Sequence, residues 1–397
     1  MNQYIEPLKT ALLFFPFVAL AITVPYMLVQ YRKYGAILLL RTAIVYSFIL
    51  YLMCAYFLTI LPLPDVERVS KLTSPTIQLI PFREVGELFL NKAVEIANPA
   101  TYYHFFWNRN FFQIAANVVM LMPFGIYLRY YFGFGLKKTV LCSLGLSLVF
   151  ELTQLSGLFG VYPRPYRLAD VDDLMTNTLG GFLGYKIAPL LMRLLPSKER
   201  MDTVAYGRGT QVSVTRRIFA AMLDGILLCI AAVLLLWLVP ALIPDTQSSM
   251  EMLLWVGSYY AAGILLYFVL GEWLLGGRTP GKMLARLRVV DRRTQGRPKL
   301  WQCAVRYVVL YIIVMPAPLA ILLVLAMVGR SQSGIMVAMI VCMVLLLVYI
   351  LFWLLLTVHV FTHSIQLLHE KLSMTRNVST LKAHQKHSER LRGSVNA

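Results

Sequence analysis

The chain alternates long apolar runs with short polar turns, and the turns alternate in charge. Runs over about 11–31 and 36–61 flank the basic pair Arg32–Lys33, and Pro62 and Pro64 end the second run. A mixed stretch over 61–111 follows, leading into an aromatic segment over 101–112 whose Tyr, His and Trp suit a membrane interface. Further runs cover about 112–132, 139–158 and 167–195. The polar, basic segment 197–215 then separates these from runs at about 218–243, one ending near 275, and runs at about 304–328 and 335–361. A helix needs roughly 20 apolar residues to cross a bilayer. The pattern therefore predicts an all-α polytopic membrane protein of about nine transmembrane helices.

Charge sets the orientation. Arg32 and Lys33, then Arg129, Lys137 and Lys138, then Arg193 and Lys198 fall on alternate turns, and nine Lys/Arg against the single acid Asp291 fill the loop 276–306. Basic turns mark the cytoplasmic side, so the N-terminus is expected outside and the C-terminus in the cytoplasm. The expected organisation is a five-helix membrane domain over 1–196, a cytoplasmic linker over 197–215, a four-helix membrane domain over 216–378 and a disordered basic tail over 379–397. Alternation near 286–301 suggests a small cytoplasmic β-hairpin turned at Thr294–Gly296.

Composition agrees. Of 397 residues, 58% are hydrophobic and 14% charged, against about a quarter charged in soluble domains, and mean hydropathy is +0.67. The net charge of +18 sits in loops, which speaks for topology and against nucleic-acid binding. The five cysteines are scattered and give neither a disulfide framework nor a zinc pattern. The segment Gly276–Lys282 (GGRTPGK) lacks P-loop spacing. No metal or cofactor is expected, and the expected partners are membrane lipids in a multi-pass plasma-membrane protein.

Costly polar groups gather in the first half. Asp170, Asp173, Asn177 and the glycines Gly180, Gly181 and Gly184 recur at steps of three and four, on one helix face. Glu151 and Gln154 share a face three apart, Asn117 precedes Pro123 and Gly125, and Arg83 and Arg167 lie in the flanking loops. The topology places this cluster at the outer leaflet. Capping by Asp170 and Asp173, close packing at the glycines and an Arg167–Glu151 ion pair would explain it structurally. Functionally, Arg167 and Arg83 suit an anion such as a phosphate, while the acids and Gln154 suit hydroxyls or an amine. An enzymatic role would use Glu151 and Asp173 as acid and base, and no catalytic residue is assigned.

These motifs resemble the VanZ family, membrane proteins named for teicoplanin resistance. The matching pieces are IPFR (Ile80–Arg83), N-x-x-x-x-x-P-F-G (Asn117–Gly125), E-x-x-Q (Glu151–Gln154) and R-x-x-D-x-x-D-x-x-x-N-x-x-G (Arg167–Gly180), over about residues 1–196. The resemblance implies a cell-envelope role that lowers susceptibility to lipoglycopeptides, with a lipid-linked wall precursor or the lipoglycopeptide itself as a partner.

The second half resembles the RDD family over about 212–378. It carries Thr215–Gly225 (TRRIFAAMLDG), GGRTPGK, Arg286–Asp291 (RLRVVD) and a closing segment in which His369–Glu370 stands where the family has His-Asp. The polar residues singled out are Arg217, Asp224, Asp291 and Glu370. Arg217, Arg278 or Lys282 are the expected partners of Asp224. Some relatives of this family are linked to ion exchange, which makes a proton or sodium exchanger the alternative function. An enzyme on lipid-linked envelope precursors is the third. The His359/His363 pair reads as helix-end polarity.

Overall fold

A computed structural model describes residues 2–90, 108–238, 258, 260–314 and 368–381. The aromatic segment over 101–107, the turn over 244–251, most of the last two expected spans, His359, His363 and the tail from 382 lie outside the described residues. The chain divides into two compact units, Met1–Val24 with Leu38–Asp202, and Pro25–Ile37 with Thr203–Ala397.

Helix α1 (Asn2–Tyr34) belongs to the first unit as far as Val24, and there α2 (Leu39–Ile60) precedes the short helix α3 (Val66–Ser70), strand β1 (Ile77–Gln78) and helix α4 (Arg83–Leu90). Helices α5 (Arg109–Tyr130) and α6 (Leu136–Leu155), strand β2 (Ala169–Asp170) and helix α7 (Val171–Met192) follow. Strands β1 and β2 pair in parallel, Ile77 with Ala169 and Gln78 with Asp170. Among the described residues, four helices are long and apolar enough to cross a membrane: Ile5–Tyr34, Leu39–Ile60, Asn110–Tyr130 and Leu136–Leu155. Helix α7, expected as the fifth span, is not among these four, and its packing accounts for its polar face. It lies against both α5 and α6, so protein rather than lipid surrounds much of it and its polar face is not exposed to hydrocarbon.

Glycines make that position accessible. A Cβ on Gly180 would stand 2.2 Å from the Val118 carbonyl oxygen, and one on Gly184 1.9 Å from that of Met122. On the neighbouring face a Cβ on Gly181 would stand 1.9 Å from Ser143 Oγ, and one on Gly125 2.0 Å from the Gly181 carbonyl oxygen. Small residues at i and i+4 let helix backbones touch where hydrophobic burial supplies little drive. Beside this seam, Ala55, Leu121, Phe124, Leu128 and Phe150 form the apolar core. Where Pro123 interrupts the α5 ladder, the Tyr51 hydroxyl donates to the Met120 carbonyl at 2.7 Å.

Helix α8 (Lys198–Gly209) occupies the stretch expected as a polar joint and passes into the second unit at Thr203, where α9 (Val214–Leu238) carries Arg217 and Asp224. Helix α10 (Tyr260–Leu274) contains a π-helical stretch over Ile264–Gly271. Helix α11 (Pro280–Leu284), strand β3 (Leu287–Asp291), helix α12 (Leu300–Tyr307) with a π-helical continuation over Val308–Val314, helix α13 (Leu368–Leu372) and strand β4 (Thr375–Ser379) follow among the described residues.

The expected local hairpin over 286–301 is corrected here. Strand β3 forms as expected, but its antiparallel partner is β4, Leu287 facing Ser379 and Asp291 facing Thr375. The cause is local. The Asp291 carboxylate takes the Arg293 and Thr294 amides at 2.7 and 3.1 Å, and the Lys299 amide donates to Gln302 Oε1 at 2.8 Å. These bonds turn the chain directly into helix α12 and leave the β3 edge for the C-terminal segment.

The glycine seam gives a direct test. Gly184→Val is expected to destabilise the protein by roughly 1–3 kcal/mol or more, because backbone atoms cannot yield to the added side chain. Gly145→Ala, with nothing within 4 Å of its Cβ, is expected to be neutral or mildly stabilising. Thermal melts of the detergent-purified variants check both.

Candidate functional site

The polar end of the first unit is built around the start of α7. Asp170 is its N-cap and accepts from the Asp172 amide at 2.8 Å, with Asp172 and Asp173 in the first turn where carboxylates suit the helix dipole. The Asp170 backbone N–H in turn donates to Glu151 Oε2 at 3.0 Å, tying the end of α6 to the start of α7. Gln78 Nε2 reaches Asp170 Oδ1 at 3.3 Å, and the Phe82 amide donates to Asp172 Oδ1 at 2.6 Å. Asn117 Nδ2 donates to Asp173 Oδ1 at 2.6 Å. One turn further along α7, Asn177 Nδ2 donates to Ser147 Oγ at 3.0 Å. The structure thus brings together Asn117, Glu151, Asp170, Asp173 and Asn177. Glu151, Asp170 and Asn177 are buried and Asp173 is half-buried.

The arginines sit elsewhere. Arg167 donates to the Thr59 and Leu61 carbonyls at 2.7 and 2.6 Å, and Gln154 Nε2 also reaches Thr59 O, at 2.8 Å. Tyr166 donates to Ile60 O at 2.6 Å and Tyr162 to Pro64 O at 2.8 Å. A helix C-terminus leaves four carbonyls without helical donors, and this loop supplies them to α2. An Arg167–Glu151 pair is not formed; the arginine holds backbone instead. Arg83 is exposed and pairs with Glu87 at 3.1 Å. Gln78 and Asp172 were not among the expected site residues, and nothing in their spacing distinguishes them, since the contact depends on the β1–β2 pairing.

In the second unit the charges pair differently from expectation. Asp224, 1% exposed, accepts from the Tyr267 hydroxyl at 2.8 Å, the Thr279 hydroxyl at 2.5 Å and the Gly281 amide at 2.7 Å. Among the described residues it forms no ion pair, so the expected pairing with Arg217, Arg278 or Lys282 is corrected. Arg217 reaches across 153 residues to Glu370 at 2.9 Å, and Lys282 meets both oxygens of Glu272 at 2.9 Å. Burial lowers the Lys282 ammonium from its ordinary value, with Glu272 acting in the opposite sense.

Glu370 is the centre of a clasp: Arg306 Nη2 lies 3.3 Å and Asn377 Nδ2 2.7 Å from its Oε1. Burial would raise this carboxyl, but Arg306 and Arg217 outweigh it and hold it at about 2. Asp291 organises its turn, also accepting Gln302 Nε2 at 2.9 Å, and the Thr294 and Arg293 amides lower its pKa. Sequence reasoning missed Arg216, which is fully buried and donates to the Ala285, Gly209 and Arg286 carbonyls at 2.7, 2.9 and 2.7 Å. It also missed Glu272 and Arg306. A lone acid in the apolar run over 258–275 was the available signal for Glu272. No group of three or more His, Cys, Asp or Glu among the described residues could hold a metal ion.

The apolar helices and these two polar centres define a helical membrane protein. Residues 48–195 match the VanZ/LLP1 family model, and residues 211–359 match the RDD family model. The first half is VanZ-like and the second RDD-like. Protein VanZ from Enterococcus faecium is 34% identical over 96 residues, which cover 24% of this chain and 55% of that protein. The chain therefore spans about half the length of that relative. No solved structure matches the chain.

The clasp predicts acid sensitivity. Burial holds His369 down at about 3, with Arg306 adding to the effect. In the unfolded chain this histidine takes a proton below about 6.5, so stability is full above that pH and falls as pH drops from 6.5 towards 3. Glu370 adds a second loss between about 4.5 and 2. Glu370→Gln, which strands two arginines, is expected to cost roughly 3–5 kcal/mol. Melting temperature against pH, with and without the substitution, measures both effects.

Proposed function

We propose that the chain is a multi-pass protein of the plasma membrane that lowers susceptibility to teicoplanin and related lipoglycopeptides. The VanZ-like half acts by binding an envelope lipid or lipid-linked wall precursor at the acidic end of α7, which faces outward in a nine-helix, N-terminus-out topology. One observation carries this reading: Glu151, Asp170 and Asp173 are held by neutral donors, from Asp170 N, Asp172 N, Gln78 and Asn117. Carboxyl groups oriented by neutral donors suit an ammonium or a cluster of hydroxyl and amide groups. Asp173, half-buried, is the acid placed to reach a ligand, and exposed Arg83 suits an anionic portion of the same headgroup. Arg167 supports the site by holding α2.

Ion exchange by the RDD-like half is the second reading. It is favoured by Asp224, a buried carboxylate in an apolar helix that, among the described residues, accepts from Tyr267, Thr279 and Gly281. Sodium- and proton-flux measurements in proteoliposomes test it. Asp224→Asn is expected to abolish flux, and a wild-type protein without flux removes the reading.

The binding reading is tested in a glycopeptide-susceptible host carrying the wild-type chain or Asp173→Asn at matched membrane levels. The substitution is expected to return the teicoplanin inhibitory concentration to that of the empty host. An unchanged value overturns the assignment of Asp173.

A further inference from the structure

The second unit carries a basic surface that neither polar centre uses. After β3, the turn over 292–299 presents Arg292, Arg293, Arg297 and Lys299, all exposed, with exposed Arg376 of β4 hydrogen-bonded to Gln295. Directly after it, Leu300 and Trp301 at the start of α12 are 44% and 49% exposed. The opposite face of α12 is buried through Gln302, Cys303, Arg306 and Tyr307. We propose that this turn and the first residues of α12 form a docking surface for anionic phospholipid headgroups of the adjoining leaflet.

Three features carry the proposal. The turn is held in one shape: Asp291 accepts the Arg293 and Thr294 amides and Gln302, the Asp291 amide donates to Gly296 O at 3.2 Å, and the Gln295 amide to Asp291 O at 3.0 Å. The described segments around the turn also present no exposed acid. Over 276–314 and 368–381 the acids are Asp291 and Glu370, both buried and both already hydrogen-bonded within the fold. The depth suits a headgroup as well. Helix α12 runs into the apolar stretch Val308–Val314, which starts roughly 10 Å along the helix from Trp301 at 1.5 Å per residue.

Guanidinium forks match phosphate oxygens, and an exposed Leu-Trp pair beside them suits insertion at the level of the glycerol backbone. Orienting a membrane protein requires only a sufficient number of bases in the loop. A turn pinned by its own acid, bearing mainly arginine and flanked by exposed Leu300 and Trp301, goes beyond that requirement.

Native mass spectrometry of the full detergent-purified chain, titrated with phosphatidylglycerol or phosphatidylcholine, tests the surface. Retention of phosphatidylglycerol over phosphatidylcholine is expected, falling at least tenfold in R292Q/R293Q/R297Q at about fivefold per basic residue near an anionic surface. Trp301→Ala, with every base intact, is expected to weaken phosphatidylglycerol retention several-fold. Equal retention of the two lipids overturns the proposal. So does phosphatidylglycerol retention that survives the triple substitution in a protein melting like the wild type. Displacement of phosphatidylglycerol by equimolar inorganic phosphate would make the ligand a soluble anion and overturn it equally.

Discussion

The distance at which α7 can approach α5 and α6 fixes the polar end of the first unit. Gly180, Gly181, Gly184 and Gly125 bring backbone and small side chains into direct contact, and only then can the Asp170 N–H reach Glu151 and Asn117 reach Asp173. In a medium without water, an unsatisfied backbone or carboxylate oxygen costs several kcal/mol. Close packing and polar satisfaction are therefore one constraint. A side chain in the seam would separate the helices and leave donors and acceptors stranded at the far end.

Arg167 illustrates the same constraint at a helix terminus. Its place beside two aspartates in the sequence suggests an anion-binding fork. The end of α2, broken by Pro62 and Pro64, claims it instead, together with Gln154, Tyr162 and Tyr166. The need to satisfy carbonyls at a buried helix end takes precedence over the local charge pattern.

Much of this was legible beforehand. The spacing of Asp170, Asp173 and Asn177 with the glycines gave the inward face of α7, since helical periodicity is local information. The two family resemblances rested on ordered motifs and are matched over 48–195 and 211–359. What the spacing could not give are contacts made across the fold. Arg217 with Glu370, Lys282 with Glu272, and β3 with β4 join residues far apart in sequence, and no periodicity encodes such partners. Asp224 shows the consequence. Two turns from Arg217 on α9, it looked like half of an ion pair, yet Glu370 lies where the arginine can reach it and Asp224 is left to hydroxyls and one amide. Glu370 meets Arg217, Arg306 and Asn377 together.

The Glu370 clasp of the second unit and the end of α7 in the first hold buried acids in opposite ways. In the second, Glu370 is matched with Arg217 and Arg306, and Glu272 with Lys282, so these charges are internally compensated and act as structure. Asp224 and Arg216 make no ion pair among the described residues: the acid is held by Tyr267, Thr279 and Gly281, the arginine by backbone carbonyls. In the first, neutral amide donors fix Glu151, Asp170 and Asp173 in position. Compensated charge contributes rigidity, whereas oriented but uncompensated charge keeps an affinity for something outside the fold. At the acidic end of α7 the donors that hold the carboxyl groups carry no charge, and the proposed binding reading rests on that difference.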